Sequence, residues 1–316
     1  MTEKEIYIAL CERHATIPIY SRPWWLDCVC GGSDRWDVML VTEGDGITAA
    51  MPYYMPCKGI ITMPPYTQTM GIWFNPEFAG AVYSKELHRK QIICDELIGR
   101  LPAHDYFLQN FHYSFTDWLP FYWRGFRQTT RYTCILPDIS DTDRLWSDYL
   151  YKIRRQGILR ARKKYHLEVR KDIPANHFMK LNEETYRRQG LKPYCDDVLK
   201  RLITTSVERG QGSLYGAYDD RDRLNGAVFI AHQKSCAYCI AGGSDYGLRH
   251  SGGHVLALWH AICDVSQSSA SFNFCGSMMH GIADFFREFG ALQTPYFVIE
   301  RGKMDLLKRL RIKLSR

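Results

Sequence analysis

The sequence predicts a mixed α/β fold built twice over, two twisted sheets each covered by helices, on three observations. The first is a pair of three-stranded meanders. Residues 37–65, DVMLVTEGDGITAAMPYYMPCKGIITMPP, alternate strand-like runs with turns at EGDG and CKG. Residues 212–243, GSLYGAYDDRDRLNGAVFIAHQKSCAYCIAGG, repeat the plan with turns at DDRDRLN and QKS. Each middle strand carries a small pair, Ala49-Ala50 or Gly226-Ala227. The second observation is a helix and a strand after each meander. Leu87, Ile92, Ile93, Leu97 and Leu101 recur at helical spacing before the strand-like YFLQNF, and Val255, Leu258, Ile262 and Val265 do so before SFNF. The third is an offset of 164 residues that lays Phe121 on Phe285, Thr130 on Thr294, Tyr132 on Tyr296 and Ile135 on Ile299.

Each unit therefore reads as meander, helix, strand, short helix, glycine turn and strand. The glycines of WRGF (123–126) and FGA (289–291) are expected to reverse the chain so that the last strand returns beside the preceding one. A boundary near 140 gives a first domain over 1–140 and a second over 141–316, opening with a basic junction helix over 144–168. In that helix Trp146, Tyr149, Leu150, Ile153, Gly157 and Ala161 are spaced to face a core.

At 316 residues, 46% hydrophobic and 24% charged, the chain has room for two globular domains. No apolar run approaches the roughly 20 residues of a membrane span. The acidic start, MTEKEIYIALCERH, has no signal-peptide core, so a cytoplasmic protein is expected. The eleven cysteines are scattered, and Cys236 and Cys239 lie three apart in a predicted strand, pointing to opposite faces. No second pair completes a zinc pattern, so reduced thiols and no metal are expected. Charge is local. Residues 144–171 hold ten Lys/Arg against two acids, and residues 300–316 hold seven against two, while the whole chain carries only +7. Such patches suit phosphates, nucleic acid or an anionic membrane surface, or serve only as solvated helix faces.

Several stretches carry a resemblance: IRRQGILRARKKYHLEV (153–169), EETYRRQG (183–190), GGSDYGLRHSGGHVLALWHAI (242–262) and FNFCGSMMHGIADFFREFGA (272–291). With the order of elements around them, they resemble the GNAT acyltransferase fold, and two copies in one chain resemble the FemAB family. That family's aminoacyltransferases extend peptidoglycan stem peptides. The resemblance implies tandem GNAT-like domains, an acceptor side in the first and a donor side in the second. Typical members carry a long helical arm inserted in the second half; here 172–211 has room for helices but not for that arm.

The resemblance also assigns candidate residues. RHSGGH matches the pyrophosphate pattern Arg/Gln-x-x-Gly-x-Gly/Ala through Arg249 and Gly252, with Gly253 beside it and His254 in the Gly/Ala position. Free amides at a helix start favour an anion, so this loop either holds the donor's phosphates or simply caps a helix. PPYTQTMG (64–71) corresponds to the acceptor pocket, where Tyr66 and Gln68 would stack and hydrogen-bond. Arg154 and Arg155 of the basic helix would meet a phosphorylated acceptor. Ser277, His280 and Asp284 come after the SFNF strand and are the candidates for proton transfer. GNAT enzymes often place a tyrosine acid nearby, and this chain has phenylalanines there. The tail KMDLLKRLRIKLSR would gather Leu306, Leu307, Leu310 and Leu314 beside Lys308, Arg311 and Arg316, which suits either shallow membrane contact or docking.

Three functions are compatible with these residues. The first is an N-acyltransferase taking an acyl-CoA or aminoacyl-tRNA donor, with no tightly bound cofactor, to an amine of an envelope precursor. The second is an acyl-CoA-dependent enzyme for a small amine or amino sugar. The third is a non-catalytic binder of nucleic acid or a membrane surface.

Overall fold

A computed structural model describes residues 1–44, 46–188, 190 and 194–315. Asp45 of the EGDG turn, Gln189 of EETYRRQG and Arg316 of the tail lie outside the described residues, as does the side chain of Leu314. The chain divides into two compact units, Met1–Arg131 with Pro295–Arg316, and Tyr132–Thr294. The division read from sequence, 1–140 and 141–316, left the C-terminal stretch with the second domain; contacts put it in the first.

In the first unit Thr2 and Glu5 cap Glu3–Arg13 (α1) reciprocally, and the helix buries Tyr7, Leu10 and Cys11. Pro23–Cys30 (α2) begins on its proline and stops at Gly31 in the left-handed conformation. Trp36–Glu43 (β1), Gly46–Cys57 (β2) and Gly59–Thr62 (β3) form the expected antiparallel meander. The short Trp73–Phe74 (β4) pairs with Ala50 and Ala49 of β2. Tyr83–Arg100 (α3) buries Ile93, Cys94, Leu97 and Ile98. It is the crossover that lets His104–Asn110 (β5) lie parallel to β3. Leu119–Trp123 (α4) then precedes Arg127–Leu136 (β6).

After β6, whose last residues open the second unit, come Thr142–Arg144 (α5), a π-helical turn over Leu145–Tyr149, and Lys152–Lys163 (α6). The continuous helix expected over 144–168 is therefore broken. Leu150 donates to the Leu145 carbonyl at 2.9 Å, a five-residue step, and the backbone is extended at Leu150 and Tyr151. That extra residue shifts the helical phase. Ile158 and Ala161 are buried, while Ile153, expected inside, is 61% exposed.

Glu168–Lys171 (β7), Ala175–Arg188 (α7) and Asp196–Glu208 (α8) lead to the second meander, Gly212–Tyr218 (β8), Leu224–Gln233 (β9) and Cys236–Ser244 (β10). Strand β7 adds an edge beside β8. Gly253–Val265 (α9) is apolar on nearly every face because it lies in the core with α6 and the sheet. It delivers Phe272–Asn273 (β11) parallel to β10. His280–Arg287 (α10), Leu292–Gly302 (β12) and Leu306–Ser315 (α11) complete the chain.

The closing strands are exchanged. In the second unit β6 pairs with β11, Ile135 opposite Asn273; in the first, β12 pairs with β5, Ile299 opposite Gln109. At the 164-residue offset the halves trade places: Ile135 corresponds to Ile299 and Asn273 to Gln109, so each pairing is the other with the two halves interchanged. The last strand of each half thus joins the counterpart of its predecessor, not the predecessor itself as the sequence suggested. Gly125 and Gly290 do adopt positive φ, 79° and 83°, but a turn does not choose a strand's partner.

Candidate functional site

Strands β10 and β11 pair at only two positions, Ala237 with Phe272 and Tyr238 with Asn273, and then part. At the parting β10 bulges: Cys239 faces Ile230, Ala241 faces Phe229, and Ile240 has no register partner on β9. A cleft of about 640 Å³ opens there. Ile240 lines it together with His254 and Leu258 of α9 and Ile282 and Phe285 of α10. The loop after β11 adds Phe274 to Ser277, and α7 adds Tyr186. Gly276 holds that loop against β6: a Cβ there would stand 2.3 Å from the Tyr132 carbonyl oxygen, at a φ of +55°.

Burial sets the chemistry of this cleft. It holds the His254 imidazole down to about 4, with help from the Arg154 guanidinium, so the ring is neutral at ordinary pH. Arg154 lies 4.3 Å over the Phe285 ring and forms an ion pair with Glu288. Burial, then the nearby Asp196, raises the Tyr186 phenol, which keeps its proton. The Cys239 thiol is pushed up to about 12 by burial and stays unreactive.

The candidate residues fare unequally. Ser277 lines the cleft, its Oγ accepting the Met279 N–H at 3.0 Å. His280 and Asp284 pair with each other at 3.1 Å, Asp284 also takes Arg287, and neither lines the cleft; the His280 side chain is 93% exposed. They lie one helical turn apart on a face of α10 other than that of Ile282 and Phe285. Arg249 is exposed, its guanidinium 4.8 Å over Tyr246. Gly252, at φ +80°, donates its N–H to the Arg249 carbonyl at 3.3 Å. Gly253 is buried, and a Cβ on it would stand 2.7 Å from Asn225 Cβ, so it lets the first turn of α9 press on β9.

Arg154 and Arg155, expected to face an acceptor, are engaged by the chain itself. Arg155 donates to the Trp146 carbonyl at 3.1 Å and the Ser147 carbonyl at 2.6 Å, closing the π-helical turn. Tyr66 and Gln68 lie in the first unit, Tyr66 at a φ of 52° and the Gln68 carbonyl accepting from Asn110 Nδ2 at 2.9 Å. The sequence reading missed Tyr186, His254 and Ile240 as cleft residues. Tyr186 sat inside the EETYRRQG stretch, and His254 stood out by its bulk in the glycine pattern. Nothing marked Ile240, because a bulge is a property of strand pairing.

Residues 148–287, which hold most of the cleft, match the Acetyltransferase (GNAT) domain. Among solved structures the chain is similar to FemX, at 12% identity and a TM-score of 0.68, over 100% of this chain and 99% of that one. A conserved protein of unknown function from Bacteroides thetaiotaomicron is also similar, at 12% identity and 0.53, over 94% and 97% of the two chains. The C-terminal domain of a putative lysylphosphatidylglycerol synthetase from Agrobacterium fabrum gives 13% and 0.53, over 89% and 88%. No curated protein sequence matches the chain. The fold is the tandem GNAT-like α/β arrangement, and residues 148–287 are similar to a GNAT acetyltransferase domain. The likeness to FemX over the whole chain agrees in fold with the resemblance that the motifs carry. No helix among the described residues is long and apolar enough to cross a membrane.

Proposed function

We propose that the chain is an N-acyltransferase that moves an acyl or aminoacyl group from an activated donor, acyl-CoA or aminoacyl-tRNA, to an amine of a cell-envelope, peptidoglycan-like precursor. One observation carries the reading: β10 bulges in the wall of the cleft and leaves Ile240 there without a register partner on β9, the place where its amide is proposed to meet a substrate carbonyl. The step is aminolysis. The amine nitrogen bonds to the carbonyl carbon, negative charge gathers on oxygen opposite the Ile240 amide, and the bond to the leaving group breaks. The amine's proton passes to water, and the leaving sulfur or oxygen takes one from the Tyr186 phenol, which solvent restores. The reaction is redox-neutral and calls for no redox cofactor.

Arg249 is the group proposed for the donor's phosphates, and Tyr66 and Gln68 for the acceptor. The envelope assignment is supported by the FemAB resemblance and by FemX and a putative lysylphosphatidylglycerol synthetase among the fold neighbours. Helix α11 supports membrane proximity, since Leu306 and Leu307 are 72% and 73% exposed on a basic helix. The test is to incubate the protein with each donor and an amine-bearing muropeptide precursor, and to look for a new amide by mass spectrometry. Amide formation that Tyr186→Phe slows supports the reading. No amide with any donor, or equal turnover in the variant, rejects it.

A further inference from the structure

We propose that the cleft between β10, α9 and α10 takes a neutral acyl chain longer than acetyl and rejects an acyl group bearing a free ammonium. The inference rests on the acyl-transfer reading above and names its donor class, a thioester of a medium or long chain.

The walls carry the argument. Leu258, Phe274, Ile282, Phe285 and Phe286 present carbon to the interior. Among the described residues lining the cleft there is no Asp, Glu, Lys or Arg. A buried ammonium needs a carboxylate or several carbonyls to replace its water, and an alkyl chain needs only this kind of wall. The ion pair just behind the wall offers no anion to an ammonium: the Arg154 guanidinium stacks on Phe285, and Glu288 is already paired with it. The neutral His254 ring supplies no anion. Size points the same way. At about 640 Å³ the cleft falls within the range of about 300–1,000 Å³ typical of small-molecule sites, and the two carbons of an acetyl group would leave most of it unfilled.

The balance of the step is that of a thioester. The acceptor nitrogen bonds to the carbonyl carbon, the C–S bond breaks, the amine's proton goes to water, and the thiol leaves with a proton from Tyr186.

The experiment titrates the full chain calorimetrically with butyryl-CoA and β-alanyl-CoA, which have the same chain length and differ by methyl against ammonium, and then with octanoyl-CoA. The expected result is butyryl-CoA binding about tenfold or more tighter than β-alanyl-CoA. Octanoyl-CoA should bind tighter again, with affinity rising by up to about fourfold per added CH₂. A Cβ at Gly281 meets nothing within 4 Å, so Gly281→Trp should fill the cleft without disturbing the backbone. It should erase the gain with chain length without lowering Tm. Parallel arms with the same acyl groups on an acyl carrier protein decide whether the thioester comes from coenzyme or carrier. Equal or tighter binding of the β-alanyl donor, a flat chain-length series, or no binding of either octanoyl donor overturns the proposal. Amide formation from an aminoacyl donor in any of those cases would leave acyl transfer standing while this donor class falls.

Discussion

The same joint is treated differently in the two units. In the second, the last meander strand and the strand after the crossover helix part after two pairs and leave a cleft. In the first, residues 63–71 cross it and narrow the space to a pocket of about 380 Å³. Met70 bridges to Phe111, takes the Asn110 carbonyl at 2.6 Å through its own N–H, and accepts the His112 N–H at 3.0 Å. Asn110 Nδ2 ties down the Gln68 carbonyl as well. The duplicated architecture therefore leaves a cleft of about 640 Å³ at one joint and runs its own backbone across the other, where a pocket of about 380 Å³ remains beside Met70, Gly71 and His112. The loop that crosses it, PPYTQTMG, has no counterpart in the second unit, where residues 245–252 alone link β10 to α9.

The sharpest way to break that contrast is at the bulge. Ile240→Pro removes the amide proposed to stabilise the oxyanion, at the bulge where Ile240 has no register partner on β9. It should cost about 10²–10³ in kcat with an unchanged circular dichroism spectrum. Tyr186→Phe should cost about 10² in turnover with little change in KM if the phenol acts as the acid. Steady-state kinetics on both variants decides whether the open joint is the reactive one.

Glycine substitutions sharpen the contrast on stability. Gly71 in the crossing loop has a φ of +86°, and a Cβ would stand 2.6 Å from Phe111 Cδ1. Gly71→Ala should destabilise by about 1–3 kcal/mol in urea titrations. Gly281→Ala, in open space on the helix that walls the cleft, should instead stabilise by about 0.5–1 kcal/mol.

The smallest effect is a matter of pH. His112 in the first unit and His254 in the second are both held down to about 4 by burial, and His254 also by Arg154. The unfolded chain, with histidines near 6.5, binds more protons between those values. The stability they contribute is full above about 6.5 and is lost as pH falls through about 4. Arg154→Met should raise the His254 pKa and leave that of His112 in place, as read by the imidazole C–H resonances.

Much of the fold could be read from local pattern. Both meanders, both crossover helices and the 164-residue repeat are short-range signals, and β1 to β3 and β8 to β10 fall where alternation and turns put them. Partner choice could not be read. β6 and β12 have similar apolar patterns, so either satisfies either sheet, and the exchange leaves no mark on composition. The break at Leu150 was hidden because a π turn adds one residue without changing residue types, which moved burial from Ile153 to Ile158. The cleft was half legible. Ser277 and the phenylalanines sat in a stretch already singled out, whereas Tyr186 reaches the cleft from a helix far earlier in the chain. Arg154 and Arg155 misled because charge alone does not tell a ligand contact from a guanidinium consumed by Glu288 or by helix-end carbonyls.

The exchanged strands also bear on synthesis. The sheet containing β5 waits for β12, which leaves the ribosome nearly two hundred residues later, so the amino-terminal half emerges with an unpaired strand edge. A nascent chain in that condition cannot finish one half before beginning the next, and cutting the gene between the repeats would leave each fragment missing the strand its counterpart carries.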